Sequence, residues 1–252
     1  MMSVLQFIRS YIFVAQMYLM LAVIAIGFLP VGVLGGRAGA VWVCRLYCHW
    51  VRFSARWIIG LRSEIRGTPP TGDVLIAAKH QSFFDILMIY SAVPRGKFIM
   101  KKELVWTPFV GWYAWLIGCI PVDRAKRGQA IKGMVEQARS ERQHGGQLII
   151  FAQGTRVAPG AKPPYKIGPA MLYRDLGLPC VPAATNVGVF WPRRSMLRKP
   201  GLAVVEFLDP IAPGLETAEF MAQVPALIES HSDKLMAEAG FDVNDPANRV
   251  GG

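Results

Sequence analysis

From Ser10 to Gly36 the chain carries no charged side chain. A run of this length is enough to cross the hydrocarbon core of a bilayer, which takes about 20 apolar residues. It lacks a clear small-residue cleavage site, so we do not interpret it as a removed signal peptide. Gly27 and Pro30 weaken its second half, and we expect the helix to end near Phe28. The pattern fits a helix that crosses the bilayer and equally one that enters and returns.

The segment from Gly39 to Leu61 has a different pattern. At 100° per residue its basic side chains form one stripe, and its large apolar side chains form another about 90° away. The two sets are Arg45, His49, Arg52 and Arg56, and Trp42, Leu46, Trp50, Phe53 and Trp57. This favours a helix at the membrane interface whose Arg side chains reach lipid phosphates, with a core helix as the alternative. We predict a two-helix membrane anchor over residues 1–66.

Charge is unevenly distributed along the chain. The net charge is +11, and residues 1–66 contribute +6 of it through seven Arg and a single acid, Glu64. A hydrophobic, Arg-rich N-terminal region indicates an anionic membrane surface, and nothing resembles a nucleic-acid recognition module. If the first helix spans the bilayer, the Arg excess after it places the main domain in the cytosol.

After residue 67, apolar strands alternate with helices. The expected strands are 73–79, 97–100, 147–151, 179–185 and 202–207. The expected helices are 83–92, 108–117, 129–143, 168–176 and 217–239. This alternation predicts an α/β fold, a mixed sheet covered by helices, over residues 67–240. We expect residues 241–252 to form a frayed tail.

Residues 79–85 lie between the first strand and the first helix of this domain. In a continuous helix, residues five apart point about 140° away from each other, so His80 can meet Asp85 only from a loop. Ser82 permits this, because Ser-x-x-Asp is a capping-box-like helix start. Asp85 then has two interpretations. It caps the helix, or it orients His80 as a general base.

Three further motifs each follow an apolar element. They are Gly118-x-Ile120-Pro121-Val122-Asp123-Arg124, Phe151-x-x-Gly154-Thr155-Arg156 and Val181-Pro182-Ala183. With His80-x-x-x-x-Asp85 in first position, these four motifs in this order resemble the glycerolipid acyltransferase family. The resemblance extends to Lys101–Leu104 and Tyr165–Gly168 and covers about residues 67–215. Within the family, the likeness is greatest to bacterial enzymes that acylate 1-acylglycerol 3-phosphate.

The resemblance implies transfer of a fatty acyl group from a thioester to the sn-2 hydroxyl of 1-acylglycerol 3-phosphate, giving phosphatidic acid. It implies His80 as the general base and Asp85 as the residue that holds the imidazole. No metal or bound organic cofactor is implied, and the acyl donor would be acyl-CoA or acyl-carrier protein. The expected partners are membrane lipids and lysophosphatidic acid, with no nucleic acid. The expected location is the bacterial inner membrane, with the catalytic domain facing the cytoplasm.

The resemblance also implies a phosphate site. Arg124 and Arg156 are implied as ligands of the acceptor phosphate, a role that suits the planar, bidentate guanidinium. Gly154 allows the backbone to come close to an anion, and Gln153 and Thr155 flank it. We expect Lys101 to add positive charge nearby.

Two positions depart from the family pattern. The family usually has Pro-Glu before Gly-Thr-Arg, where this chain has Ala152 and Gln153, and many members carry Asn where it has Lys79. Gln keeps two hydrogen-bonding ends but loses the negative charge, so we expect activity to survive and acceptor preference to shift. A lysolipid such as lyso-ornithine lipid is therefore the alternative acceptor. A non-catalytic lipid-binding protein of the same fold is a third hypothesis, against which the intact His80 and Asp85 argue.

Two other groups of residues have open interpretations. The basic loop with Arg193, Arg194, Arg198 and Lys199 is either a surface for anionic lipid or an acidic carrier protein, or a solvated loop. The cysteines show no disulfide framework. We interpret Cys44 and Cys48 as small buried apolar residues rather than metal ligands.

Overall fold

The computed structural model describes residues 4–123, 125 and 127–242. The expected phosphate ligand Arg124 and most of the expected C-terminal tail therefore lie outside the described residues.

A seven-stranded sheet forms the centre of the described part of the chain. The strands are β1 Leu61–Arg66, β2 Val74–Ala78, β3 Gly96–Lys101, β4 Ile120–Val122, β5 Gln147–Phe151, β6 Cys180–Thr185 and β7 Gly201–Phe207. Their spatial order is β1-β7-β6-β2-β5-β3-β4. Strands β6 and β7 are antiparallel, and the other neighbouring pairs are parallel. The prediction of a mixed α/β sheet is confirmed.

Helices cover both faces of this sheet. They are α1 Val4–Gly27, α2 Leu29–Leu34, α3 Gly36–Ile58, α4 Phe83–Ala92, α5 Val110–Leu116, α6 Arg127–Arg142, α7 Gly168–Leu176, α8 Val187–Phe190 and α9 Thr217–Glu238, with a 3-10 helix at Lys102–Trp106. Because side chains alternate along a strand, β2 supplies both cores. Ile76 and Ala78 pack with α1, α3 and α4, whereas Leu75 and Ala77 pack with α6, α7 and α9.

The N-terminal helices correct one prediction. Helix α1 is the one described helix that is long and apolar enough to cross a bilayer. Helix α3 packs instead against the rest of the protein. Its Arg45 and Arg52 side chains both donate hydrogen bonds to Ser91 of α4, and Arg52 also donates to Ser63 of β1. The prediction of a two-helix anchor is therefore wrong in its second helix, since half of its basic stripe bonds to the protein. Trp42 and the other exposed aromatic residues of α3 lie on its outer side.

Helix α1 is hydrogen-bonded to the rest of the protein near both of its ends. Near its start, the Gln6 amide donates to the carbonyl of Arg198, and Ser10 Oγ accepts from the Arg198 N–H. Near its end, the carbonyl of Ala25 accepts from Tyr113 Oη. The outward face is exposed and apolar. It carries Val4, Leu5, Phe7, Ile8, Tyr11, Ile12, Tyr18, Leu19, Val23 and Ile26.

Five short elements were not predicted, namely β1, β4, α2, α8 and the 3-10 helix. Strand β1 pairs in parallel with β7, with Leu61 opposite Gly201. The division of the chain at residue 66 stays a prediction, and the structure adds that residues 61–66 form an edge strand of the main sheet.

Candidate active site

The loop after β2 brings His80 and Asp85 together. Ser82 begins α4, and its hydroxyl accepts a hydrogen bond from the N–H of Phe84. Asp85 Oδ2 accepts from the N–H groups of Gln81 and Ser82, at 2.7 Å and 2.8 Å. Asp85 Oδ1 lies 2.9 Å from His80 Nδ1. The contacts that the two interpretations of Asp85 require are therefore both present, each on a different oxygen.

The surroundings of His80 fix its ring. Its imidazole stacks on Phe151, with ring centroids 3.8 Å apart and planes 15° apart. The Asp85 side chain is fully buried, whereas that of His80 is 12% exposed. A carboxylate only accepts hydrogen bonds, so in a neutral imidazole the Nδ1 that faces it is the donor and Nε2 is the acceptor. This is the state that a general base requires.

The segment after β5 is held beside His80 by backbone hydrogen bonds. In the parallel register Ala78 lies opposite Phe151, and the N–H of Ala152 donates to the carbonyl of Ala78. The N–H of Val157 donates to the carbonyl of His80 at 2.7 Å. Residues 153–156 are therefore fixed next to the imidazole at the carboxyl edge of the sheet, where ligands of α/β folds bind.

The turn at 151–154 requires a glycine. Gly154 has φ +71°, a left-handed conformation that glycine adopts at little cost. Its N–H donates to the carbonyl of Phe151 and closes the turn. Its contribution is therefore the turn itself, which carries Thr155 and Arg156 outward.

The predicted cationic side chains have different surroundings. The Arg156 guanidinium makes no ion pair or hydrogen bond within the described residues, and its side chain is half-buried. Thr155 beside it is exposed. Lys101 ends β3 at the same edge of the sheet, but its Nζ lies 3.3 Å from the Glu103 carboxylate and is solvated. Arg156 is thus a cation on the turn after β5 whose guanidinium has no partner among the described residues.

The comparisons with known proteins identify the family. A family model described as Acyltransferase matches residues 62–186, which include both the His80 loop and the 151–157 segment. The chain belongs to the acyltransferase family. Its β1, which sequence reasoning missed, lies almost entirely within the matched region.

Individual acyltransferases resemble this one over most of its length. A Pseudomonas aeruginosa protein named 1-acyl-sn-glycerol-3-phosphate acyltransferase is 28% identical, over 94% of this chain and 93% of its own. A mouse protein named 1-acyl-sn-glycerol-3-phosphate acyltransferase alpha is 31% identical, over 70% of this chain and 63% of its own. The crystal structure of the Thermotoga maritima 1-acyl-sn-glycerophosphate acyltransferase PlsC matches with a TM-score of 0.75, covering 91% of this chain and 98% of its own. At 19% identity, this last likeness shows the fold.

Both departures from the acyltransferase pattern contact a residue that sequence reasoning missed. Glu229 of α9 lies 2.6 Å from Lys79 Nζ through Oε2. Its Oε1 accepts from Tyr165 Oη at 2.8 Å and from Gln153 Nε2 at 3.4 Å. Burial, and then the charge of Glu229, raises the pKa of Tyr165 well above its usual value, so its hydroxyl stays a donor. Glu229 lies outside the recognised motifs, so no sequence signal marked it.

The arginines of the basic loop differ in burial. Arg193 and Arg194 are exposed, whereas Arg198 is buried with its guanidinium over the ring of Trp191, 4.4 Å from the centroid. Burial lowers the pKa of Arg198 to about 10. Arg198 therefore belongs to the packing of α1 rather than to a surface that meets lipid or carrier protein.

Proposed function

We propose that this acyltransferase moves a fatty acyl group from a thioester to the sn-2 hydroxyl of 1-acylglycerol 3-phosphate, giving phosphatidic acid. The observation that carries the proposal is the His80–Asp85 pair beside a turn that carries Arg156, whose guanidinium has no partner among the described residues. A base next to an anion site fits an acceptor that carries both a hydroxyl and a phosphate. Relatives from a bacterium and a mouse are named for this activity.

The proposed reaction is a direct transfer. His80 Nε2 takes the proton of the acceptor hydroxyl while the oxygen attacks the thioester carbonyl. The new C–O bond forms, the C–S bond breaks, and the leaving thiolate receives the proton from the imidazolium. Asp85 holds the Nδ1–H and stabilises the imidazolium charge, as in a Ser-His-Asp triad. The nucleophile is the acceptor's own hydroxyl, so the reaction forms no acyl-enzyme.

Acceptor binding is proposed for the 153–156 turn. Arg156 offers two parallel N–H donors to phosphate oxygens, and the Thr155 hydroxyl lies beside it. Gln153 sits beneath the turn, and its Oε1 has no partner among the described residues, so it can accept a hydrogen bond from a glycerol hydroxyl. Arg124 is proposed as a second phosphate ligand on its motif alone, and Lys101 as a more distant positive charge.

A membrane location fits the acceptor and the product, which are both lipids. The apolar N-terminal helix α1 is consistent with membrane association. Its outward face and the exposed Trp residues of α3 supply an apolar surface with basic residues nearby. We propose that the catalytic domain faces the cytoplasm of a bacterial cell, where acyl-CoA or acyl-carrier protein supplies the thioester. No bound cofactor is part of the proposed mechanism.

The test is acyl transfer in detergent micelles by purified wild type and His80→Ala. Lysophosphatidic acid and lyso-ornithine lipid are offered separately, each with acyl-CoA and with acyl-carrier protein. Wild type is expected to convert lysophosphatidic acid, and His80→Ala to lose about a thousandfold or more, because the base is gone. The control is His231→Ala, which removes a partly exposed histidine of α9 that pairs with Glu206 of β7.

Two results would change the proposal. Preference of wild type for the ornithine acceptor would retain the chemistry and remove the phosphate roles of Arg156 and Arg124. Lipid binding without any acyl transfer would favour the non-catalytic alternative.

A further inference from the structure

A buried ion pair lies directly beneath the base. Lys79 precedes His80, and its side chain is fully buried. Neighbouring residues at the end of a strand point to opposite faces, so Lys79 extends toward α9 while His80 stacks on Phe151. A buried ammonium needs a counterion, and Glu229 Oε2 provides it at 2.6 Å.

The same carboxylate connects three segments of the site. Lys79 belongs to the strand end that carries His80, and Gln153 belongs to the turn that carries Arg156. Tyr165 lies in the loop that returns to the sheet through the hydrogen bond from the Lys166 N–H to the Ala152 carbonyl. The Glu229 carboxylate of α9 thus contacts both the strand end that carries His80 and the turn that carries Arg156.

The contact also sets the direction of the Gln153 amide. Its Nε2 donates to Glu229, so Oε1 points away from that carboxylate. Gln153 is 2% exposed, and its Oε1 has no hydrogen-bond partner among the described residues. Buried acceptors are almost always paired, which indicates that a ligand group or water completes this one.

We infer that Glu229 is a positioning residue of the acyl-transfer site, where it supplies the negative charge that the family pattern places at position 153. The departures at 79 and 153 are then one change. The carboxylate lies on α9 instead of on the turn, and Lys79 is its counterion. This inference rests on the proposed function, because it assigns Glu229 to the positioning of that site.

The inference predicts that Gln153→Glu, which introduces the residue that the resemblance implies at this position, lowers activity. In Gln153→Glu, a second carboxylate would lie about as close to Glu229 as the present amide, which is 3.4 Å away. Two carboxylates would then share one ammonium, and their repulsion would displace the turn. Removing the charge of Glu229 in the same protein relieves this repulsion and leaves one carboxylate for Lys79. The two substitutions are therefore expected to compensate each other.

The experiment is a double-mutant cycle on the full-length enzyme in micelles. It compares wild type, Glu229→Gln, Gln153→Glu and the double variant, with kcat, KM for lysophosphatidic acid and melting temperature measured for each. We expect kcat/KM to fall about 30-fold in Glu229→Gln and about tenfold in Gln153→Glu, mainly through KM for the acceptor. The double variant is expected to return to within about threefold of wild type. The control, Glu238→Gln, removes a solvated partner of Arg66 from the same helix.

The outcomes separate this inference from the proposed function. The positioning role would be overturned if the losses of kcat/KM in the two single variants multiply in the double variant. It would also be overturned if kcat/KM of Glu229→Gln stays within about twofold of wild type. If Glu229→Gln does not fold, the double variant decides, because it must both fold and turn over. If wild type does not acylate lysophosphatidic acid, the proposed acceptor is wrong. The mutant cycle is then measured with the lysolipid that wild type does acylate.

Discussion

Asp85 Oδ1 lies 2.9 Å from His80 Nδ1, while the second oxygen of the same carboxylate accepts two backbone N–H groups at the start of α4. The residue that holds His80, the proposed base, is therefore also part of the capping box at the start of the helix behind it. The hydrogen bond to Asp85 and the stack on Phe151 together hold the imidazole in one orientation. For the proposed base, such preorganisation reduces the reorganisation needed in the transition state.

The two functions of Asp85 are expected to separate in two substitutions. Asp85→Asn retains an acceptor for the helix start but cannot hold the Nδ1–H tautomer, so kcat should fall by about 10²–10⁴ with little change in melting temperature. Asp85→Ala should lose the same activity and also about 1–2 kcal/mol of stability through the lost cap. Steady-state kinetics and urea unfolding measure the two effects. An Asn variant with more than a tenth of wild-type kcat would contradict the assignment.

Arg156 is expected to act on acceptor binding. Arg156→Gln removes a charge-assisted pair worth about 1.5–3 kcal/mol, so KM for lysophosphatidic acid should rise about 10- to 150-fold. Arg156→Lys should recover only part of this, because an ammonium lacks the bidentate geometry. KM for the acyl donor should not change. Arg174→Gln on α7, which removes a solvated arginine paired with Asp175, is the control. An equal rise in both KM values would mean that Arg156 does not bind the acceptor phosphate.

The cysteines are expected to be unreactive in the folded protein. Burial raises the pKa of Cys48, Cys119 and Cys180 to about 12, and that of Cys44 well above its usual value. Iodoacetamide at pH 8 should therefore label none of them without denaturant and all four in guanidinium, as mass spectrometry would show. Activity should survive the native treatment. Inactivation with labelling of one cysteine would show a thiol that opens to the site.

The same shifts predict a loss of stability in alkali. Unfolded thiols lose their protons near pH 8.5, whereas the buried thiols of Cys48, Cys119 and Cys180 keep theirs to about pH 12. Within that interval the unfolded state binds fewer protons, so the free energy of unfolding falls as pH rises. Replacing Cys180 by Ala should flatten the slope of a urea-unfolding series between pH 8.5 and 10.5. An unchanged slope would place the cause in other groups.

The outward face of α1 is expected to bind the bilayer. Placing a charge there, as in Leu19→Glu, should reduce sedimentation with anionic vesicles at least tenfold and leave transfer in micelles nearly unchanged. Ala222→Glu on α9, at an exposed position of a helix on the opposite face of the sheet, is the control. Equal vesicle binding by both variants would show that another surface attaches the protein.

The local patterns of the sequence predicted most of the fold. Strand β5 and helices α4 and α7 have the predicted bounds, because their apolar periods, caps and terminal glycines are local signals. Strand β1 was missed because Leu61–Arg66 is mostly polar and charged, which suits an edge strand exposed on one side. The prediction of a second anchor helix was wrong for a related reason. A basic stripe looks the same in sequence whether Arg52 reaches a phosphate or Ser63.

The contacts of the candidate site also differ in how far the sequence could predict them. The Ser82-x-x-Asp85 spacing predicted the loop geometry of His80, since a helix cap is determined by neighbouring residues. Glu229 could not be predicted, because it is 150 residues from Lys79 and reaches it only through the packing of α9 on the sheet. The resemblance implied a charge that this chain lacks at 153, and only the tertiary structure places the Glu229 carboxylate beside the Gln153 amide.

The attachment of α1 has a consequence for the order of events during synthesis. Its Gln6 and Ser10 bond to Arg198, so the partners of the first helix are made about 190 residues after it. At about 5–20 residues per second, the ribosome needs roughly 10–40 s to supply them. During that interval α3 is already available to pack against one side of the helix, whereas the outward apolar face stays uncovered. A lipid surface would cover that face, so we expect the nascent chain to reach the bilayer before the loop that carries His80 has folded.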